Sequence, residues 1–405
     1  MNTTFLIVGG GQAGAQAIDT LRREGFDGRL VLVGEERELP YQRPPLSKKF
    51  LHGELAADRL PFRHRAFYDE HRVELRLGSR ATRLDRAART VELDDGTRLP
   101  YDRALLCLGA RARPLPCAGA DLPGIHTLRT IDDANALGAE LRTGARAVIV
   151  GGGYIGLEAA AACRHFGLET TVLEMADRVM ARVVSPAVSE FFAEAHRARG
   201  VRILCNTRVE SIDGRDRVAA IVCGDGTRLA ADLVIVGVGA LPVTDLAADA
   251  GLAVDDGIVV DEYCRTTDPA IFAAGDCVNQ PSPHYGRRIR LESVDNAFEQ
   301  GKTAALNMLG RDVIHDRIPW FWSDQYEHKL LIVGLRGDGD ERVARGDPSR
   351  GGFSTLYLRD GELTAVEAVD DTKDYMAARK LIAARARLDP ARAADKSRDL
   401  KEAAL

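Results

Sequence analysis

The feature that most constrains this chain is a duplicated one: strand, glycine turn, helix, strand and a terminal acid, met at the start of the sequence and again near residue 150. The first copy runs from a β-rich segment, Thr4 to Val8, into GGGQAG, where Gly9, Gly11 and Gly14 satisfy GxGxxG. A helix is predicted over residues 15–23, and LVLVGEE then reads as a second strand with Glu35 at its end. From Ala147 the pattern returns as AVIVGGGYIGLEAAAACRHFGLETTVLE, with Gly151, Gly153 and Gly156 in the turn and Glu174 as the acid. Each residue type has a physical reason. The first glycine permits the tight turn, the second lets backbone approach a pyrophosphate, the third lets helix pack on strand, and the acid meets a ribose. The helix amino terminus then holds the phosphates. One such fingerprint could equally be a plain glycine turn. Two, each in the required context and each with its acid, argue for two dinucleotides on one chain, and most simply for a hydride passed between them.

The remaining bulk properties narrow the class. A chain of 405 residues is too long for one core and implies two or three domains. With 45% hydrophobic and 28% charged residues it is an ordinary globular protein, not a disordered, collagenous or coiled-coil one. The net charge of -5 gives no overall field for nucleic acid or for an anionic membrane, so a charged partner must be met locally. No apolar run reaches the roughly 18 residues of a membrane span. The opening MNTTFLIVGGG lacks the basic segment and the length of a signal peptide, and a cytoplasmic location is expected. Seven scattered cysteines without a CxxC pair read as reduced thiols. Nine histidines show no metal spacing, no metal is expected, and neither GxSxG nor HExxH occurs, so hydrolytic chemistry has no support.

Four further segments identify the family: LPYQRPPLSKKF at residues 39–50, LLCLGARAR at 105–113, VIVGVGALP at 234–242 and TTDPAIFAAGDC at 266–277. Together they resemble the two-dinucleotide-binding flavoproteins of the glutathione reductase-like superfamily. The resemblance spans nearly the whole chain. It implies an α/β fold of two Rossmann-like dinucleotide-binding domains plus a C-terminal α+β domain. It also implies FAD as the first nucleotide, bound without a covalent link, with Asp276 closing the flavin site on the ribityl chain, and NADH as the second. RPPLSK, ESVDNAFEQGK at residues 292–302 and PWFWSDQ at 319–325 are similar to the NADH-dependent ferredoxin and rubredoxin reductases of bacterial oxygenase systems, the putidaredoxin-reductase type, which apoptosis-inducing factor also resembles.

That resemblance assigns roles residue by residue. Lys48 is expected near the reactive edge of the flavin and paired with Glu158 of the second glycine helix, where lysine stabilises the ring when it carries negative charge. For FAD it adds Arg43, Gly109, Arg129, Val294 and Trp322 to Gly9, Gly11, Gly14, Glu35 and Asp276. For NADH it adds Ile155 and Gly239 to Gly151, Gly153, Gly156 and Glu174. NADH is expected over NADPH because Glu174 would repel a 2′-phosphate and no arginine follows immediately, although Arg178 lies four residues on. One departure is that Leu108 stands before Gly109 where many relatives carry threonine, which removes a hydroxyl. Read without the resemblance, Lys48 would be a solvated surface lysine, Glu158 an ordinary helix residue, and Trp320 and Trp322 one packed face of a strand.

What the chain lacks narrows the acceptor. Residues 12–24 hold no cysteine pair, and ELPYQRPPLSK has no cysteine, so disulfide and peroxide chemistry lose their nucleophile. The expected acceptor is a [2Fe-2S] ferredoxin feeding a cytochrome P450 or ring-hydroxylating dioxygenase. The alternatives are rubredoxin, a quinone or oxygen as acceptor, or a redox-sensing interaction protein like apoptosis-inducing factor. Such ferredoxins are usually acidic, and the densest basic run, Arg287, Arg288 and Arg290 of HYGRRIR with Lys302 beyond, is the expected docking patch; a solvated loop is the plainer reading. A monomer or weak dimer is expected. The domains read as 1–113 with 245–318 for FAD, 114–244 for NADH and 319–405 as the third. In the last, Asp360-Gly361 supplies a hairpin turn, a helix is predicted over residues 372–386, and ARAADKSRDLKEAAL reads as a frayed helix without function.

Overall fold

A computed structural model of the chain describes residues 3–405; the first two residues of the amino-terminal stretch lie outside the described residues. The described chain forms two compact units. The first contains the chain up to Gln42, then Ala57–Arg111 and Leu241–Pro319; the second contains Arg43–Ala56, Ala112–Ala240 and Trp320–Leu405.

The first unit is built on a five-stranded parallel sheet in the order Ile271–Ala273, Arg103–Leu106, Thr4–Val8, Arg29–Gly34, Val73–Leu77. Leu6, Ile7, Leu30, Leu32 and Leu105 are fully buried. Burial on both faces is why these strands are continuous apolar runs rather than alternating ones. The first glycine helix, Gln12–Arg23, buries Ala17, Ile18 and Leu21. Against it packs a long helix, Val294–Met308, so closely that a Cβ on Gly301 would stand 2.4 Å from the Ala13 carbonyl oxygen.

The second unit repeats the plan. Its parallel sheet runs Arg202–Leu204, Glu169–Leu173, Arg146–Val150, Leu233–Val236, Ile125–His126. In both sheets the strand before the glycines is central, the next two lie to one side, and a later strand lies to the other. The outermost strand on that side comes last in the chain for the first sheet and first for the second. Each sheet is also interrupted at the same place by a three-stranded antiparallel ribbon, Ala81–Asp85, Thr90–Leu93 and Arg98–Pro100 in one, Val209–Gly214, Val218–Cys223 and Arg228–Ala230 in the other. The turns share the sequence DGTRL, with Gly96 at φ 82° and Gly226 at φ 83°, and Asp95 and Asp225 accepting the amides of Thr97 and Thr227.

The second unit also carries a five-stranded antiparallel sheet in the order Trp320–Gln325, His328–Gly334, Glu362–Val369, Phe353–Arg359, Glu341–Arg345. Asp360 and Gly361 turn its hairpin at φ 51° and 83°, the left-handed pair such a turn requires. Leu330, Phe353 and Val369 of this sheet pack into the cluster of Leu157, Val188 and Phe192, while Leu356, Leu363 and Val366 are buried outside that cluster. The Ser185 amide also donates to the buried Glu367 carboxylate at 2.8 Å. The segment Arg43–Ala56, assigned by sequence to the FAD part, likewise belongs to this unit, with Leu51 in the same cluster.

The carboxy-terminal stretch is not a frayed helix. After the helix Thr372–Ala383 come a short α-helix, Pro390–Ala394, and a 3-10 helix, Leu400–Ala403, capped by Asp389 and Asp399. The guanidinium of Arg345, 2% exposed, gathers them by donating to the carbonyls of Ala393, Asp395 and Arg398 and pairing with Asp374 at 2.8 Å. Among the described residues no helix is long and apolar enough to cross a membrane.

Candidate functional site

The two glycine turns show why each glycine is there. A Cβ on Gly9, at φ 114°, would lie 2.1 Å from the Cys107 carbonyl oxygen, and one on Gly14 would lie 2.2 Å from the Gly9 carbonyl oxygen. The second turn repeats this: Gly151 at φ 104° would meet the Gly237 carbonyl oxygen at 2.4 Å, and Gly156 the Gly151 carbonyl oxygen at 2.0 Å. The middle glycines differ. Around Gly11 and Gly153 a Cβ would meet nothing within 4 Å, so no protein packing demands glycine there. These two are also the N-caps of the helices Gln12–Arg23 and Tyr154–His165, and neither helix start receives a side-chain cap. Uncapped amides facing space that a side chain would fill are the fit expected for a bound pyrophosphate at both sites.

The two acids behave differently. Glu174, just past Glu169–Leu173, accepts the Gly152 amide at 2.7 Å and the Ala176 amide at 2.8 Å, so its carboxylate is fixed on the glycine turn. Arg178 Nη2 donates to the Ala181 carbonyl at 2.9 Å, while its buried Nη1 has no hydrogen-bond partner among the described residues. Glu35, just past Arg29–Gly34, is 73% exposed and only 3.9 Å from Arg80, free to turn toward a ligand. Ile155 lies in the first turn of the second helix, 43% exposed, and Gly239, at φ 102°, accepts the Arg113 amide at 2.9 Å.

Of the remaining FAD residues expected from sequence, three fall in the first unit. Gly109, at φ 67°, accepts the Val243 amide at 3.0 Å. Asp276 is half-buried after Gly275, whose amide donates to Gln300 Oε1 at 2.7 Å. Val294 opens the long helix behind its Ser293 cap. Arg43, Arg129 and Trp322 fall in the second unit, where Arg43 Nη1 donates to the Arg129 carbonyl at 2.7 Å. Trp322 is half-buried, and the expected shared face is present: its ring and that of Trp320 stack with centroids 5.4 Å apart, while Phe321 points the other way onto Tyr154 at 4.6 Å.

Lys48 and Glu158 are brought together. Pro44 and Pro45 fix φ for a single 3-10 turn, Pro44–Ser47, and Lys48 is its C-cap. Its ammonium lies 2.9 Å from Oε2 of Glu158, a residue in the second turn of the helix Tyr154–His165. Glu158 is 4% exposed. A buried carboxylate is tolerable only when its lone pairs are taken up. Two serines complete this one: Ser47 Oγ donates to Oε2 at 2.6 Å and Ser323 Oγ to Oε1 at 2.7 Å. Sequence reasoning missed both hydroxyls, although Ser47 lies in RPPLSK and Ser323 in FWSDQ. The arrangement holds one positive charge in place against a fixed, dry carboxylate.

The basic run is less uniform than its sequence. Arg290 is paired with Asp256 at 3.2 Å and with Glu292, so its charge is cancelled. Arg288 spends its guanidinium on Asn279 and on the Val260 carbonyl at 2.8 Å. Arg287 and Lys302 are exposed and have no ion pair among the described residues.

Residues 3–301 match the family model described as pyridine nucleotide-disulphide oxidoreductase, and residues 320–404 match the one described as reductase C-terminal. Among curated proteins the chain is similar to rhodocoxin reductase of Rhodococcus erythropolis, 44% identical over 98% of this chain and 93% of that one. It is equally similar, at 44% identity over 98% of each chain, to the anthranilate 1,2-dioxygenase system ferredoxin--NAD(+) reductase component of Burkholderia cepacia. Among solved structures, the covalent putidaredoxin reductase-putidaredoxin complex aligns with a TM-score of 0.96 at 40% identity, covering 99% of this chain and 98% of that one.

Proposed function

Because the chain belongs to the pyridine nucleotide-disulphide oxidoreductase family and carries that reductase C-terminal domain, we propose that it is a ferredoxin reductase of an oxygenase system, taking hydride from NADH by way of FAD and delivering electrons singly to a [2Fe-2S] ferredoxin. The observation that carries this reading is the pair of uncapped helix starts at Gly11 and Gly153, two dinucleotide cradles in one chain. When bound, FAD accepts a hydride as an electron pair and can release the electrons one at a time.

The chain's residues supply binding, orientation and charge. Amides at the start of Gln12–Arg23 hold the FAD pyrophosphate, Glu35 takes its ribose hydroxyls, and Asp276 binds the ribityl chain. Amides at the start of Tyr154–His165 do the same for NADH, with Glu174 already oriented by Gly152 to accept a ribose hydroxyl. Lys48 supplies positive charge that favours the cofactor in its reduced form. Glu158, pinned by Ser47 and Ser323, keeps that charge from moving. Arg43, Gly109, Arg129, Val294 and Trp322 complete the proposed FAD contacts, and Ile155 and Gly239 those to NADH. Arg287 and Lys302 are the proposed points of attraction for the ferredoxin.

The test is direct. The purified protein should carry FAD released by denaturation, be bleached by NADH without oxygen, and reduce cytochrome c only when a [2Fe-2S] ferredoxin is added. Flavin bleaching with no ferredoxin-dependent turnover would overturn the acceptor; a protein that neither carries nor takes up FAD would overturn the whole reading.

A further inference from the structure

The carboxylate of Glu158 is the inner end of a longer row of hydrogen bonds, all within the second unit. On the strand Trp320–Gln325 side chains alternate between two faces. Trp320 and Trp322 stack on one, and Phe321, Ser323 and Gln325 share the other. Two residues along a strand span about 6.8 Å and four along a helix about 6 Å, so the second face keeps step with the glycine helix. Phe321 meets Tyr154, and two residues on Ser323 donates to Glu158 at 2.7 Å. Gln325, next on that face, has Nε2 3.3 Å from Ser323 Oγ and Oε1 3.0 Å from Nε2 of His196, on the helix Pro186–Arg197. His196 Nδ1 lies 3.0 Å from the Tyr326 hydroxyl. Ser323, Gln325 and His196 are all buried.

The inner end sets the direction of every bond in the row. The carboxylate paired with Lys48 only accepts, so Ser323 spends its one proton on Glu158 and must itself accept from Gln325. Gln325 therefore turns its amide nitrogen to Ser323, where the second hydrogen faces Met180 Sδ at 4.0 Å, and its oxygen to His196. His196 must then carry its proton on Nε2, which leaves Nδ1 to accept from Tyr326. Turning the Gln325 amide over would set its oxygen against Ser323 Oγ with no proton between them. Burial pushes the Tyr326 hydroxyl up to about 12 and the His196 ring down to about 4, so the first keeps its proton to donate and the second stays neutral. Tyr326 is also an uncommon residue for its backbone: it stands at φ 56° in the turn before His328, where glycine or asparagine is the ordinary choice. Its side chain accounts for its presence, with the hydroxyl on His196 and the ring under the Arg199 guanidinium at 4.2 Å.

We propose that Gln325 and His196 are positioning residues for the lysine–glutamate pair, holding the Ser323 hydrogen on Oε1 and so fixing the carboxylate that in turn fixes Lys48. This rests on the reading of Lys48 as the charge beside the flavin. An amide does not hand a proton on, so the row transmits orientation and not protons. Its dipoles all turn their positive ends toward Glu158, and hydrogen bonds joined in this way strengthen one another in a dry interior.

The test is a double-mutant cycle on the purified full-length flavoprotein. Flavin reduction is followed by anaerobic stopped flow across NADH concentrations in wild type, Ser323→Ala, Gln325→Met and the double variant, with FAD content and urea unfolding measured alongside. Each single variant should lower the limiting rate by about threefold to tenfold, the scale of one hydrogen bond, while the NADH concentration for half the limiting rate stays within about twofold of wild type. The double variant should be no slower than Ser323→Ala, because Gln325 acts only through that hydroxyl. Losses that multiply, or a wild-type rate in Gln325→Met, would overturn the positioning role. Where Gln325→Met does not accumulate as folded flavoprotein, His196→Met removes the row one step farther out and takes its place in the cycle with the same expectations. Nitrogen-15 spectra of histidine-labelled protein at pH 7.5 check the row without the flavin reaction: His196 should carry its proton on Nε2, and a proton on Nδ1 would overturn the row itself. Lys48→Ala in the same stopped-flow series separates the two levels. An unchanged rate there would overturn the reading of the lysine and this role with it, whereas a slowed Lys48→Ala beside a wild-type rate in Gln325→Met would overturn the positioning role alone.

Discussion

Lys48 Nζ lies 2.9 Å from Glu158 Oε2, and that carboxylate keeps two further donors, Ser47 and Ser323, on its oxygens. Removing the lysine therefore does not strand the carboxylate. Breaking a buried ion pair generally costs about 3–5 kcal/mol, but with two hydroxyls remaining Lys48→Ala should cost about 1–2 kcal/mol and leave FAD bound. Its effect should fall on rate: reduction of the flavin by NADH, followed anaerobically by stopped flow, should slow by about tenfold or more. An unchanged rate would remove Lys48 from the mechanism. Glu158→Gln should give a smaller loss, since the amide still accepts from one serine.

The middle and last glycines of each turn should separate binding from folding. Gly11 has extended backbone and open space around it, so Gly11→Ala should fold, with stability within about 1 kcal/mol of wild type, yet lose FAD affinity by at least about tenfold. Gly14→Ala forces a Cβ to within 2.2 Å of a backbone carbonyl oxygen and should cost roughly 3 kcal/mol or more in unfolding. Urea unfolding together with flavin fluorescence distinguishes the two. If both variants lose FAD and stability alike, the cradle reading of Gly11 fails.

The glycine turns were readable from sequence because backbone contact leaves only one residue type possible at Gly9, Gly14, Gly151 and Gly156; sterics write themselves into sequence locally. The Asp360-Gly361 hairpin was readable for the same reason. The Lys48 and Glu158 pairing was visible only through family resemblance, since the two residues lie on distant segments, and the serines that complete it look like any other serine. The ordered carboxy-terminal turns were misread because their anchor, Arg345, lies on another strand and its burial has no local signature. Charge density misled in a similar way: RRIR reads as three free arginines, whereas Arg290 and Arg288 are taken up by partners that come from elsewhere in the chain.

Glu174 should set the choice of nicotinamide cofactor. Its carboxylate is held by the Gly152 and Ala176 amides and would meet a 2′-phosphate with like charge. Glu174→Ala should reduce the ratio of kcat/KM for NADH over NADPH by about tenfold, equivalent to about 1.4 kcal/mol, and Glu174→Arg by more. Wild type with the higher kcat/KM on NADPH would refute the assignment.

Acid should destabilise the protein through two buried histidines. Burial lowers the pKa of His196 and His315 from 6.5 to about 4 in each case. His196 is fitted for the neutral ring, with Nε2 3.0 Å from Gln325 Oε1 and Nδ1 3.0 Å from the Tyr326 hydroxyl. The folded state thus binds fewer protons than the unfolded state between pH 6.5 and 4. The stabilisation is present above pH 6.5 and is lost as pH falls toward 4, by up to about 3 kcal/mol for each histidine. Denaturant unfolding across this range should show proton uptake on unfolding, and His196→Gln should remove about one proton of it. An unaltered uptake in that variant would show that His196 is charged in the fold.

Ferredoxin attraction should rest on fewer charges than the basic run suggests. Arg290 is neutralised by Asp256 and Glu292, and Arg288 is tied to Asn279 and the Val260 carbonyl; Arg287 and Lys302 alone of the four are exposed with neither an ion pair nor a side-chain hydrogen bond among the described residues. Exposed charges act over a Debye length of about 8 Å at physiological ionic strength, and they change the association rate more than the complex itself. Reduction of an acidic [2Fe-2S] ferredoxin should therefore fall as salt is added. Charge reversal at Arg287 or Lys302 should lower kcat/KM for ferredoxin by about threefold to tenfold and flatten that salt dependence. Arg290→Glu would place a carboxylate against two others, so Arg290→Gln is the informative control, and it should change ferredoxin reduction little because the arginine contributes little free charge. NADH-driven reduction of ferricyanide, a small acceptor that needs no docking surface, should be the same in all three variants. Equal effects on both acceptors would mean that the substitutions disturb the flavin or the fold, and an effect confined to Arg290→Gln would place the ferredoxin on a different part of this surface.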